Sequence, residues 1–291
     1  MDAVKAKKEL EKLRKEIRHH DYHYYVLSQP EVSDKEYDEL IYRLKELEER
    51  FPDLVTPDSP TRRVSGAVQD GFKTLRHRQK MFSLDNTYSF DELRDWAERV
   101  HKGLDSERVE YAAELKIDGV SVNLTYEFGL LVSGATRGDG ETGEDVTLNI
   151  KTIRAIPLRL EADNPPELIE IRGEAYLGLK DFQAINEERE GQGDVLFVNP
   201  RNAASGSLKL LDPGIVSKRH LSFFAHSLGN LSGGVFSAQW EFLQELKKYG
   251  IRVNAVVVAE CWTPAYETWI ETLPDAQAKL DEIKAKIPLE V

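Results

Sequence analysis

Along the first 28 positions, apolar residues recur mostly at helical steps: Val4, Leu10, Leu13, Ile17, Tyr24 and Leu27. The spacing predicts one helix, ended by Gln29-Pro30. Ser33 opens a second helix, with Glu36 three residues on as the partner of a capping box. Tyr37, Leu40, Ile41, Leu44 and Leu47 form its apolar stripe, and Pro52 stops it. Residues 53–69 hold Pro, Ser, Thr and Gly without periodicity, the composition of a domain boundary. Phe90 to Leu104 reads as another helix, with Leu93, Trp96, Val100 and Leu104 on one side.

From Val109 the period shortens to two. Strands are expected from Val109 to about Ile117, from Val120 to Tyr126, from Leu130 to Thr136, from Leu168 to Leu177 and from Leu221 to His226. Glu127-Phe128-Gly129 is a turn, and residues 137–143 form a glycine-rich loop before a helix over Glu144 to Thr152. A helix capped by Asp181 runs to about Glu190. Phe197 to Ser207 reads as a loop of small residues, and Ala238 to Lys248 as an amphipathic helix. Val253 to Val258 is short and apolar, and a helical tail spans Ala276 to Lys286. A helical hairpin followed by a mainly antiparallel β core with flanking helices is an α+β architecture. The expected division is 1–69 for the helical module and 70–291 for the β domain.

Composition narrows the function. At 291 residues the chain is long enough for a sizeable core. Its net charge of -12 argues against wrapping duplex DNA by bulk electrostatics. The single cysteine, Cys261, excludes an internal disulfide framework and a cysteine-based zinc site. With neither a signal-peptide pattern nor a membrane-length apolar run, the chain is expected in a reducing cytoplasm without membrane attachment.

The densest charge pattern is Glu114-Leu115-Lys116-Ile117-Asp118-Gly119. On a strand, Glu114, Lys116 and Asp118 share one face, opposite Leu115 and Ile117. A solvated charge ladder explains this, and so does a lysine nucleophile. Two carboxylates favour the protonated amine, which is a poor nucleophile. A reactive Lys116 therefore needs a phosphate substrate arriving with a divalent cation or an arginine such as Arg137. Tyr22, Tyr24 and Tyr25, with Asp34, Tyr37 and Asp38 at i, i+3, i+4 on the second helix, fit ordinary packing and helix-dipole compensation. They equally fit a pocket for a flat cation such as a pyridinium ring. Arg137 in the glycine-rich loop fits either a polar hairpin exit or a phosphate contact.

The Lys116 hexapeptide resembles the nucleotidyl-lysine motif of covalent nucleotidyltransferases. Further motifs in order resemble bacterial NAD⁺-dependent DNA ligases. They are Tyr22-x-Tyr24-Tyr25 with Pro30 and Ser33-Asp34-Lys-Glu-Tyr37-Asp38, Ser83-Leu84-Asp85-Asn86, Ala135 to Asp145, Ile171-Arg-Gly-Glu174, and Asn199-Pro-Arg-Asn-Ala-Ala. The resemblance covers residues 5 to about 255. It implies a nicotinamide-mononucleotide module in the hairpin and an adenylation (nucleotidyltransferase) domain after it. Lys116 would attack the α-phosphorus of NAD⁺, beside Asp118. Ser83, Leu84, Glu114, Arg137 and Glu174 would hold the adenosine and its phosphate. Tyr24, Tyr25, Asp34, Tyr37 and Asp38 would recognise the nicotinamide mononucleotide; Tyr25 stands where some members carry histidine. Mg²⁺, or Mn²⁺ in its place, is the expected cofactor, with no metal ligands of the chain's own.

The chain departs from that pattern after about Val258. No Asp-Gly-Val-Val-Ile-Lys strand follows, nor an oligonucleotide-binding fold, a four-cysteine zinc module, helix-hairpin-helix units or a BRCT domain. The expectation is a monomeric adenylation fragment that does not seal nicks unaided. Nicked duplex DNA would be the partner of the full-length enzyme, and zinc would belong only to the further domains. An ATP-dependent nucleotidyltransferase or a non-catalytic NAD-binding module are the alternatives.

Overall fold

The computed structural model describes residues 2–27, 29–64, 70–84, 86–104, 109, 111–253 and 256–257, except the side chains of Asp34, Ala112, Ala113, Val256 and Val257. Helix α1 (Ala3–Asp21) is capped by Asp2, whose side chain accepts from the Lys5 amide. The expected single helix to residue 28 changes type at its end. Tyr22–Val26 forms a π-turn, closed by the Leu27 amide donating to the Tyr22 carbonyl. Helix α2 (Asp34–Arg50) carries the full Ser33–Glu36 capping box. Leu10, Leu13 and Ile17 of α1 pack on Leu44 and Leu47 of α2, while Val4 is exposed. Inside this hairpin Arg14 pairs with Glu48 at 2.6 Å, and Ser59 and Thr61 also donate to Glu48.

The stretch after Pro52, read from composition as a connection, is built into the fold as far as Arg63. Asp58, Ser59, Pro60 and Arg63 are buried. Arg63 donates to the carbonyls of Lys151, Ile153 and Ile156, and Arg159 pairs with Asp58 at 2.6 Å.

Strand β1 (Thr74–Arg76) follows, then α3 (Phe90–Leu104), capped by Ser89. Among the described residues of the strand expected from Val109 to Ile117, only β2 (Ala112–Ala113) is regular. Leu115 is 65% exposed instead of facing a core, and the Ile117 amide turns back to the Leu115 carbonyl at 3.1 Å. That local turn replaces the two-residue alternation on which the charge-ladder face depended.

The main sheet has the order β4-β3-β6-β7, antiparallel throughout. It consists of β3 (Val120–Glu127), β4 (Leu130–Thr136), β6 (Leu168–Tyr176) and β7 (Ser222–Leu231). The turn between β3 and β4 has positive φ at Phe128 and Gly129. Between β4 and β6 lie β5 (Thr142–Glu144), paired with β1, and α4 (Thr147–Thr152). Val122, Leu124, Tyr126, Ile169, Ile171 and Ala175 are buried on the sheet's apolar side. Glu170, Arg172 and Glu174 alternate with them and share the other face.

Helix α5 (Leu179–Gln192) has Gly178 as its N-cap, so Asp181 lies within its first turn and is not its cap. The expected loop from Phe197 to Ser207 is largely helix α6 (Pro200–Leu208), because Asn199 caps it by accepting from the Asn202 amide and Pro200 suits its first position. A short α7 (Pro213–Val216) precedes β7, and α8 (Gln239–Lys248) follows it. Strand β8 (Val256–Val257) pairs with β2. The tail from Ala276 to Lys286 lies outside the described residues.

Two compact units result: residues 1–88 with 114–254, and residues 89–113 with 255–291. In the second unit α3 and the β2–β8 pair are described, and Trp96 contacts Tyr111 with ring centroids 5.5 Å apart. No described helix is long and apolar enough to cross a membrane.

Candidate active site

The end of β6 builds one cluster. Gly119 lies against it so closely that a Cβ there would stand 2.2 Å from the Ala175 carbonyl oxygen. The same approach lets the Gly119 amide donate to the Glu174 carboxylate. Lys116 and Asp118, on the preceding turn, are exposed. Burial holds the Glu174 carboxyl above the usual glutamate range, while the Gly119 amide, Lys116, Arg201 and Arg137 oppose it. One half-buried acid thus feels three cations from separate elements. Arg201 of α6 also approaches Asp118 at 3.6 Å. Arg137 begins the glycine-rich loop, whose Gly138 and Gly140 have positive φ, and donates to Ser83 Oγ at 3.4 Å. Glu114 is held by Gln239 of α8, which donates to it at 2.8 Å and to the His226 carbonyl at 2.6 Å. Burial, with Arg172 and Lys116 adding, keeps the His226 imidazole below the usual histidine range. Leu84 is 77% exposed.

The structure therefore brings together Lys116, Asp118, Glu174, Arg137, Ser83 and Glu114. An amine, three carboxylates and, with Arg201, two guanidinium groups in one open region suit the handling of a phosphate ester. Sequence reading did not assign roles to Arg201, Gln239 or His226. Arg201 sits inside the Asn199-to-Ala204 motif, which is a usable signal. Gln239 and His226 carry no local signal, because their relevance comes from the fold bringing α8 and β7 beside Glu114.

The hairpin builds a second cluster. Tyr24 and Tyr25 lie on the π-turn with ring centroids 4.6 Å apart. With His20, Pro30, Glu31, Val32 and Tyr37 they line an open pocket. Tyr37 donates to Asp21 at 2.7 Å and accepts from Arg154 at 2.5 Å. The Arg154 guanidinium lies 5.6 Å from the Tyr25 ring centroid and 5.5 Å from that of Tyr37. Burial, then the Asp21 charge, raises the Tyr37 hydroxyl well above the usual tyrosine range. Asp38 is exposed and does not line the pocket. Asp34 begins α2, and its side chain lies outside the described set.

Residues 69–288 match the family described as NAD-dependent DNA ligase adenylation domain, and residues 3–65 match DNA ligase-like, N-terminal NAD+-binding domain. The chain belongs to the NAD-dependent DNA ligase family. Within this ligase family it is 53% identical over 249 residues to a DNA ligase of Desulforamulus reducens, covering 86% of this chain and 37% of the relative. It is 48% identical over 254 residues to a DNA ligase of Carboxydothermus hydrogenoformans, covering 87% and 38%. It is 52% identical over 246 residues to a DNA ligase of Thermotoga maritima, covering 84% and 35%. The chain spans little more than a third of the length of the curated relatives it matches.

Proposed function

We propose that this chain carries out the adenylation step of an NAD⁺-dependent DNA ligase. The observation that carries the reading is the placement of exposed Lys116 beside Asp118 and Glu174 with Arg137 and Arg201 around them. Lys116 Nζ attacks the α-phosphorus of NAD⁺. A phosphorus–nitrogen bond forms as the bond from that phosphorus to the bridging oxygen breaks. Nicotinamide mononucleotide leaves with the electron pair, and Nζ gives up its proton to solvent.

Arg137 and Arg201 stabilise the charge that gathers on the phosphate oxygens. They also offset the carboxylates that would otherwise keep Lys116 protonated. Ser83, Leu84, Glu114 and Glu174 position the adenosine part. The exposed Asp118 carboxylate is a hard oxygen donor, so the chemistry here suits Mg²⁺ or Mn²⁺ arriving with the pyrophosphate. Such an ion, when bound, would supply further neutralisation of the pyrophosphate.

The hairpin, residues 1–69, is the nicotinamide-mononucleotide module, and Tyr24, Tyr25, Asp34, Tyr37 and Asp38 are its recognition residues. Residues 70–291 form the adenylation domain. In a longer enzyme the adenylyl group passes to the 5′-phosphate of nicked duplex DNA. The protein works as a monomer in a reducing cytoplasm.

Intact-mass measurement after incubation with NAD⁺ and Mg²⁺ tests this. One added adenylyl group is expected, absent from Lys116→Ala. Labelling that survives in Lys116→Ala overturns the nucleophile. Labelling by ATP in preference to NAD⁺ overturns the substrate, and binding of NAD⁺ without any covalent product leaves only a binding module.

A further inference from the structure

The sequence leads one to expect zinc only in further domains, and His19, His20 and His23 look like solvated helix residues. The fold brings them to a single carboxylate. His19 closes α1 and His23 lies four residues on in the π-turn, so both face the same side, a spacing suited to two ligands on one ion. The 30s loop returns Glu31 to that side, anchored by the Gln29 amide donating to the His23 carbonyl at 2.8 Å. His19 Nε2 stands 2.6 Å from Glu31 Oε2, and His23 Nδ1 stands 3.3 Å from Glu31 Oε1. One ligand atom from each of the three residues lies within 4.8 Å of the other two. A tetrahedral zinc with ligand bonds near 2.0–2.1 Å sets its donors about 3.3 Å apart, so the His19–Glu31 hydrogen bond has to open by about 0.7 Å and the three donor atoms, within 4.8 Å of one another, draw in around the ion. His20 Nδ1 lies 3.8 Å from the same carboxylate, is buried, and has no hydrogen-bond partner. It is an orphaned nitrogen donor at the edge of the cluster.

We propose that His19, His23 and Glu31 form a three-ligand binding site for a divalent transition ion of the zinc class, its fourth position open to solvent. Two imidazoles with one carboxylate select zinc and its borderline neighbours over magnesium or calcium, which take oxygen shells. Glu31 and His20 also line the pocket that Tyr24, Tyr25 and Tyr37 share. An ion here fastens the 30s loop to the end of α1 and fixes one wall of that pocket. The site stands independently of the adenylation reading.

Calorimetric titration of the chain with zinc chloride tests the proposal, in a Cys261→Ser background so that no thiol contributes. One ion per chain is expected, with His23→Gln and Glu31→Gln each weakening uptake by at least ~10-fold. Cobalt uptake should give a visible band of tetrahedral nitrogen–oxygen character. In the unsubstituted histidine background, zinc should shift the imidazole nitrogen resonances of His19 and His23, a readout independent of whether the variants fold. Absence of uptake at roughly 0.1 mM zinc overturns the site. So does unchanged affinity in folded variants, or imidazole shifts confined to other histidines.

Discussion

Gly119 decides where Lys116 and Asp118 stand. Any side chain at that position would meet the backbone of β6, so the turn that carries the lysine is pressed onto the strand that carries Glu174. The consequence for Glu174 is measurable. Burial leads, and its carboxyl is held above the ordinary glutamate range despite the surrounding cations. The folded chain then keeps that proton at pH values where the unfolded chain has released it. The contribution of Glu174 to stability therefore falls as pH rises from the ordinary glutamate pKa through the raised one. Glu174→Gln should remove this loss, so the variant gains on the wild type across that interval and holds a constant difference above it. Urea unfolding over a pH series checks this, and a difference that does not change with pH refutes it. Much of this site was legible in the sequence, because the Lys116, Arg137 and Glu174 motifs are local strings. The partners that hold them were not. Gln239 reaches Glu114 across 125 positions, and no periodicity in either segment announces that contact.

At the scale of elements, the hairpin rests on a seam of leucines and one buried ion pair. Arg14 and Glu48 have side chains only 6% and 7% exposed. Their attraction offsets the desolvation of both, and removing Arg14 leaves a buried Glu48 charge with only the Ser59 and Thr61 hydroxyls. Arg14→Met should cost about 3–5 kcal/mol. Arg14→Met with Glu48→Leu should recover part of that loss, and denaturant unfolding of both variants checks the ordering. A single variant within 1 kcal/mol of the wild type, on this same scale, counts against the pair. The helices of this hairpin were readable because their stripes and the Ser33–Glu36 box are encoded within a few residues. So were β3, β4 and the turn between them. The segment from Val109 to Ile117 misled, since its alternation is that of a strand but its Leu115 has no partner surface. The β1–β5 pair escaped detection because three-residue strands carry too little pattern, and their pairing depends on the glycine-rich loop folding back. Helix α6 was hidden by its glycine and serines, which composition alone assigns to a loop.

Across the first compact unit, the hairpin is fastened to the sheet domain by charges and not by a leucine seam. Asp21 receives Tyr37 and pairs at 3.6 Å with both Arg63 and Arg154. Arg154 contributes the contact that spans 117 positions, and it covers the rings of Tyr25 and Tyr37. Replacing it by alanine should speed amide exchange near Asp21 and Tyr37 by roughly tenfold, the equivalent of one lost charge-assisted bond of about 1.5 kcal/mol. Exchange in β3 and β6 should stay as it is. Hydrogen-exchange mass spectrometry separates the two regions, and uniform acceleration would mean that Arg154 supports the whole unit. Arg63 adds a consequence in time. It donates to the Ile153 carbonyl, 90 positions later in the chain. During synthesis at about 5–20 residues per second, that acceptor is made roughly 5–20 s after the arginine. The leucine seam between α1 and α2 needs nothing later and is ready first. The nascent hairpin therefore waits with Asp21 and Asp58 lacking the arginines at 154 and 159, held in shape by its own core until the ribosome delivers their partners.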